Sequence, residues 1–328
     1  MNDTSSTLAP PGRVRLPDID SSSWEHPADR AALRSLSAIP GFSEVMRKIV
    51  AMLGERGIRL FFQANAVRVT ETQYDWIHKR YLTVLDTMDL GWEPELFVSQ
   101  TPIANAGAFG VEEPFIIINS AAVDLLEPEE LETVLAHEVG HVASEHVLYR
   151  TILVILILLS QRQIPIAGIA IQVVVLALLE WSRKAELSSD RVALLGTQTP
   201  EAAMSTLMKL AGGTDHHSDA LNLGEFLIQA EEYEEDKDLA DVVFKVMNLL
   251  GSTHPFHVLR VAEMQRWIRE GHYDRILRGE YQRRSEQKRA YKEDAKEAAS
   301  YYGVALKKAF RKVSRALDET LRGGTDEL

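Results

Sequence analysis

Cysteine is absent from the 328 residues, so disulfides are excluded and no thiolate can take part in a metal site. Positive charge is in short supply, with 36 Lys and Arg against 48 Asp and Glu and a net charge of −12. That balance argues against nucleic acid as a partner of the whole chain. The first 30 residues lack an apolar stretch and are rich in Ser, Pro and Asp. They read as a disordered leader over residues 1–35, and secretion by the ordinary route is not expected. With no cysteine to protect, the expected location is cytoplasmic. A long uninterrupted apolar run is also missing. Residues 152–159 and 164–179 are apolar apart from Gln172, but Gln161, Arg162 and Gln163 stand between them. Neither arm by itself clearly reaches the roughly 20 residues of a spanning helix.

What the chain does contain is the run His137-Glu138-Val139-Gly140-His141. On a helix, histidines four positions apart project from one face toward one point. A carboxylate one residue after the first can reach a water held there, the arrangement that hydrolytic Zn²⁺ chemistry requires. Residues 128–150 read as one amphipathic helix. Pro128 suits its first turn, Glu129, Glu130 and Glu132 suit its positive end, and Leu131, Val134, Leu135, Val142 and Val147 recur at helical spacing.

Two histidines leave a catalytic zinc site one protein ligand short. A continuation with Gly at 144 and His at 147, as in metzincins, fails, because Ser144 and Val147 stand there. His146 falls one residue off the required face and reads as a helix-surface or outer-shell group. The remaining option is a carboxylate from another helix. Glu186 is the best candidate, with Asp190 one turn further along the same face to orient a ligand histidine.

This pattern, HEVGH followed by Glu186 and Asp190, resembles the HtpX-type and CAAX-prenyl-protease-type zinc peptidases, a branch of the gluzincins. Two further segments match in the same order. Pro102, Asn105 and Ala106 resemble the family's Pro-x-x-Asn-Ala segment, and Ser252-Thr253-His254-Pro255 with Arg260 resembles its Ser-x-His-Pro and Arg motif. The resemblance covers roughly residues 40–270. It departs from the family at Gly107, where an aromatic residue is common, and at Phe256 and His257. By resemblance, Asn105 and Ala106 contact substrate through the backbone. Arg260 holds its motif in place or assists it, and His254 supports the oxyanion of a tetrahedral intermediate.

Around these motifs the expected class is α+β and helix-dominated: a gluzincin-type zinc peptidase with a small sheet beside the active-site helix and a hydrophobic helical hairpin. Helices are expected over 43–54 and 73–88, and strands over 58–63, 66–70, 95–99 and 115–119. Residues 105–110 beside the last strand suggest an exposed edge that takes up an extended peptide. The hairpin, residues 151–181, turns near Pro165 and returns the chain to the histidines. Arg150, Arg183 and Lys184 lie at its base. Two placements stay open for it: association with the cytoplasmic face of a membrane, or burial within a soluble protein or oligomer. The expected organisation is a leader over 1–35, a metallopeptidase domain over 36–275 and a charged amphipathic helical tail over 276–328. Residues 281–322 hold twelve Lys and Arg against six Asp and Glu. The acidic run Glu231, Glu232, Glu234, Glu235, Asp236 and Asp238 reads as a solvated face.

The function expected from the sequence is a zinc-dependent endopeptidase with one Zn²⁺ per chain, acting on peptide or unfolded-protein substrates in membrane-linked quality control. His137, His141 and Glu186 are its expected ligands and Glu138 its general base. The alternative is a zinc-stabilised, membrane-associated adaptor that binds peptides without cutting them.

Overall fold

The computed structural model describes residues 12–37, 57, 59–60, 63–110, 112–161, 168–214, 216–235 and 256–286. The expected helix over 43–54, His254 with the rest of its Ser-x-His-Pro motif, Asp236, Asp238 and the tail from 287 lie outside these residues. Among the described residues the chain is helix-dominated with one four-stranded mixed sheet.

The sheet holds β1 (Ala66–Arg68), β2 (Glu95–Ser99), β3 (Ala106–Phe109) and β4 (Phe115–Asn119) in the order β1-β2-β4-β3. The parallel pair β2 and β4 is its centre, with β1 and β3 antiparallel on the flanks. Apolar residues line both faces of β4, so both faces are covered. Ile116 and Ile118 pack toward the helices, while Phe115 and Ile117 meet Phe97 and Phe109 on the other side. At the β3–β4 turn Gly110 has φ +129°, a conformation that an L side chain rarely adopts. Its amide donates to Thr151 Oγ1 at 3.0 Å, which ties the end of β3 to the hairpin base.

Ten α-helices accompany the sheet among the described residues, two of them before β2 in the chain. They are α1 (Pro27–Ser37), α2 (Asp75–Thr87), α3 (Ser120–Leu125), α4 (Pro128–Ala143), α5 (Val147–Gln161), α6 (Gly168–Thr197), α7 (Pro200–Gly212), α8 (Leu223–Glu235), α9 (His257–Arg269) and α10 (His272–Leu277). Glu130 anchors the first turn of α4. It accepts from the Glu127 amide at 2.8 Å, and it binds Ser205 Oγ and Lys209 Nζ of α7, each at 2.7 Å. Gly140 then allows the approach that matters. A Cβ at this position would lie 2.9 Å from Val192 Cβ and 3.0 Å from Ser189 Cα. The glycine between the histidines is therefore what lets α6 press against α4 and bring Glu186 and Asp190 within reach.

Five expectations change. The single helix over 128–150 breaks after Ala143, where Glu145 takes φ 58°, and α5 leaves at 100° to α4. No Gly or Pro marks this break, so periodicity alone runs straight through it. Among residues 58–63, the described residues 59, 60 and 63 are helical, not extended. Their alternation of apolar residues is too short to decide between the two periods. β3 forms where no strand was expected, because Ala-Gly-Ala-Phe carries little strand propensity and gains its place by pairing with β4. Within the expected leader, residues 12–35 are ordered. Leu16, Ile19 and Trp24 are buried in one core with Val192, Met264, Trp267 and Ile276. The apolar residues there are few and aperiodic in a Ser- and Asp-rich background, and only the groove that receives them gives them meaning. The boundaries expected at 35 and 276 fall inside α1 and α10.

In the hairpin, Ile152, Leu153, Ile155 and Leu156 of α5 are buried against Leu178, Leu179 and Trp181 of α6, with Leu36 of α1 in the same cluster. Among the described residues no single helix is long and apolar enough to cross a membrane. The bent pair Pro128–Ala143 and Val147–Ile157 passes that test only as a pair.

Candidate metal centre

One helical turn separates the two histidines of α4, and the ring edges that face α6 converge. His137 Nε2 and His141 Nε2 are 3.2 Å apart. Glu186 Oε2 is 3.3 Å from the first and Oε1 is 3.3 Å from the second. Two ligand atoms each about 2.1 Å from a tetrahedral ion stand about 3.4 Å apart, so this triangle has the dimensions of a three-ligand face. The set itself, two imidazoles and one carboxylate, is that of a catalytic site with a position left for water. His137, His141 and Glu186 are the cluster among the described residues able to hold a metal ion, and all three are buried.

Glu138 is buried beside them, and its Oε2 makes no hydrogen bond. A carboxylate oxygen shut away from solvent with no donor is costly unless something that brings a proton approaches it. It faces a cavity of about 180 Å³ that also holds His137, Glu186 and Asp190. Asn105 and Ala106 form one wall of this cavity, at the start of the sheet-edge strand β3. Arg260 and His257 of α9 form another. Asn105 Oδ1 accepts from the Ala106 amide at 2.8 Å, and its carbonyl accepts from the Asn119 amide at 2.9 Å. These bonds fix where the strand enters the cleft.

Each histidine has a separate support on its far nitrogen. His137 Nδ1 donates to Asp190 Oδ1 at 3.0 Å. Asp190 is held by Arg260 through Nε to Oδ2 at 2.8 Å and Nη2 to Oδ1 at 2.5 Å. Burial lowers the His137 pKa, but hydrogen bonds with Asp190 and Glu186 outweigh it and lift the value to about 9. His141 behaves in the opposite way. Burial first, and the charge of Arg150 second, hold its pKa well below the ordinary value. Arg150 Nη1 contacts His141 Nε2 and donates to Glu186 Oε1 at 2.9 Å. A divalent ion and this guanidinium compete for the same lone pairs, so a metal-loaded site requires Arg150 to turn aside.

On the other edge of the His141 ring, Nδ1 lies 3.1 Å from His146 Nδ1. The opposite nitrogen of His146, Nε2, lies 2.9 Å from Asp29 Oδ2. His146 is 1% exposed, so the helix-surface half of its expected reading is corrected. It reaches the interior because the chain turns at Glu145. Asp29 had no expected role. Its one sequence signal is a lone acid in the first turn of α1, too common to single out. His257 also lines the cavity without a role having been expected for it. His216 and His217 lie exposed, away from this cleft.

The profile of peptidase family M48 matches residues 71–268. A protein of Arabidopsis thaliana described as plastoglobule-localized metallopeptidase 48, chloroplastic, is 33% identical over 282 residues, which span 81% of this chain and 81% of that protein. A protease HtpX homolog of Helicobacter pylori is 34% identical over 77 residues, 23% of this chain and 25% of its own length. One from Halobacterium salinarum is 32% identical over 113 residues, 34% of this chain and 36% of its own length.

Proposed function

Because this chain belongs to peptidase family M48, and is thereby a metalloprotease, we propose that its metal is Zn²⁺ and that it works as an endopeptidase on extended segments of protein. The observation that carries the reading is the donor triangle of His137, His141 and Glu186 with the unbonded Glu138 oxygen one residue away. In this reading the three side chains hold one ion per chain. Bound there, Zn²⁺ acidifies water and polarises the scissile carbonyl. Glu138 Oε2 takes the proton of the attacking water and delivers it to the departing amine. Asp190 keeps the His137 proton on Nδ1, and Arg260 holds Asp190 in place. The backbone at Asn105 and Ala106 aligns an extended substrate as an added strand along β3. For His254 the proposed oxyanion support rests on the motif resemblance alone.

An adaptor that binds peptides without cutting them finds no support, since Glu138 adds nothing to holding a metal. Membrane-linked quality control remains part of the proposal through the apolar arms within residues 151–181. Substrates in that role are misfolded or unfolded chains.

The test compares parent and Glu138→Gln on one preparation. Zinc content by mass spectrometry should be one per chain in both. Casein cleavage should fall by about 10²- to 10⁴-fold in the variant, the usual weight of general-base catalysis. Equal cleavage by the two proteins would remove Glu138 from its role, and a parent without zinc would remove the metal assignment. Flotation of the same parent with anionic vesicles reads the membrane proposal, and protein left at the bottom of the gradient would discard it.

A further inference from the structure

We propose that Asp29 and His146 form a relay of two imidazoles and one carboxylate that fixes the metal-facing tautomer of His141. A segment outside the family-matched region thereby completes the metal centre. The inference rests on the reading of His141 as a ligand.

The argument starts at Asp29, which is 2% exposed and buried against three donors. Trp181 Nε1 donates to its Oδ1 at 3.0 Å, and Ser188 Oγ donates to its Oδ2 at 2.6 Å. His146 Nε2 shares Oδ2 at 2.9 Å. A carboxylate surrounded in this way acts only as an acceptor, so the facing nitrogen of His146 must carry its hydrogen. In the relay His146 carries that one hydrogen alone, which leaves its Nδ1 as an acceptor. Its neighbour at 3.1 Å, His141 Nδ1, must then be the donor. With that hydrogen on Nδ1, the lone pair of His141 stays on Nε2. This is the nitrogen that faces His137 Nε2 and Glu186. If the far end of the relay donated instead, each imidazole would flip, and His141 would present an N–H where a metal needs a lone pair.

Geometry holds the relay in place. Trp181 packs edge-on to the His146 ring with centroids 5.5 Å apart. The segment that delivers Asp29 is pinned on both sides. Trp24 Nε1 donates to Ser144 Oγ at 3.0 Å, at the end of α4, and the His26 amide donates to Ser188 Oγ at 2.9 Å. Ser188 therefore binds both the backbone of the segment and the carboxylate that it carries. Residues 24–29 lie before residue 71, where the family match begins. They supply to His141 what Asp190 supplies to His137.

The experiment uses the full chain and two readouts. In metal-free, ¹⁵N-histidine-labelled protein, two-bond ¹H–¹⁵N correlations report the tautomers. The expected pattern is Nδ1–H on His141 and Nε2–H on His146. Zinc affinity is measured by competition with a chromophoric chelator. His146→Leu removes the acceptor and should weaken binding by about 10- to 100-fold, the usual cost of losing an outer partner of a metal ligand. His146→Asn restores an oxygen acceptor near the lost Nδ1 and should recover most of that loss, a rescue that a merely structural role would not give. Asp29→Asn places an N–H₂ against one of three donors. It should shift His146 toward Nδ1–H and weaken zinc binding at least about tenfold. Nε2–H on His141 in the parent, or His146→Leu binding zinc as tightly as the parent, would overturn the relay. If His141→Ala leaves zinc affinity unchanged, the ligand reading falls by itself. The tautomers, read without metal, then still decide the relay.

Discussion

The two histidines of α4 are alike in sequence and unlike in their surroundings. His137 leans on Asp190 and Arg260, both within the family-matched span, and the arginine is bonded to that acid, with its Nη1 also 3.5 Å from Glu186 Oε2. His141 leans on His146 and Asp29, of which the acid comes from a segment before that span. Its arginine, Arg150, rests on the converging edge itself. The same requirement, a far-side acceptor that keeps the lone pair on Nε2, is met once by a carboxylate in direct contact and once through an intervening imidazole. The difference teaches that a metal centre built on a helix needs only a local motif for its ligands. Whatever part of the chain the fold brings near can supply their supports.

The largest effect that would break this comparison is expected at the arginines. Arg260→Leu leaves Asp190 buried beside Glu186 without its cation. It should cost about 3–5 kcal/mol of stability in a denaturant titration. Arg150→Leu should instead raise zinc affinity, because it removes a competitor from His141 Nε2 and Glu186 Oε1. Equal destabilisation by the two, with no gain in affinity from the second, would show that the arginines are equivalent.

A smaller effect tests what the two histidines share. Gly140→Ala puts a methyl into contact with Val192 and the Ser189 backbone. It should destabilise by about 1–3 kcal/mol and weaken zinc binding by spreading α4 from α6. Unchanged stability would mean that the helices are not held at their limit of approach.

The smallest effect is in protons. His137, raised to about 9, carries a proton at neutral pH in the metal-free chain, whereas His141 does not. The sign follows. A folded pKa above the unfolded value stabilises the metal-free chain below about pH 6.5, and this contribution is lost as pH rises through about 9. Zinc must displace that proton, so its affinity should rise about tenfold per pH unit between pH 7 and 8. Calorimetry in buffers of different ionisation enthalpy should find about one proton released per zinc from the imidazoles. Release of none would remove the asymmetry between the two rings.

Much of the site could be read from local chemistry. Histidines spaced i, i+4 around a helical glycine, and a carboxylate pair spaced i, i+4 on a second helix, are properties of single elements. The 3.6-residue period carries them without help from the rest of the chain. The apolar runs of β2 and β4 announced themselves in the same way, since strands covered on both faces leave no polar alternation to interpret. Tertiary structure decided the rest. The turn at Glu145 carries no Gly or Pro to mark it, and β3 is a strand only because β4 offers it a partner. Trp24 and Asp29 look like parts of a leader until packing sets the first against Val192, Met264 and Trp267 and the second against His146, Trp181 and Ser188. A motif is legible when its chemistry repeats along one helix. A hydrogen-bond partner that arrives from a distant segment leaves no period in the sequence, because its position is set by packing and not by spacing.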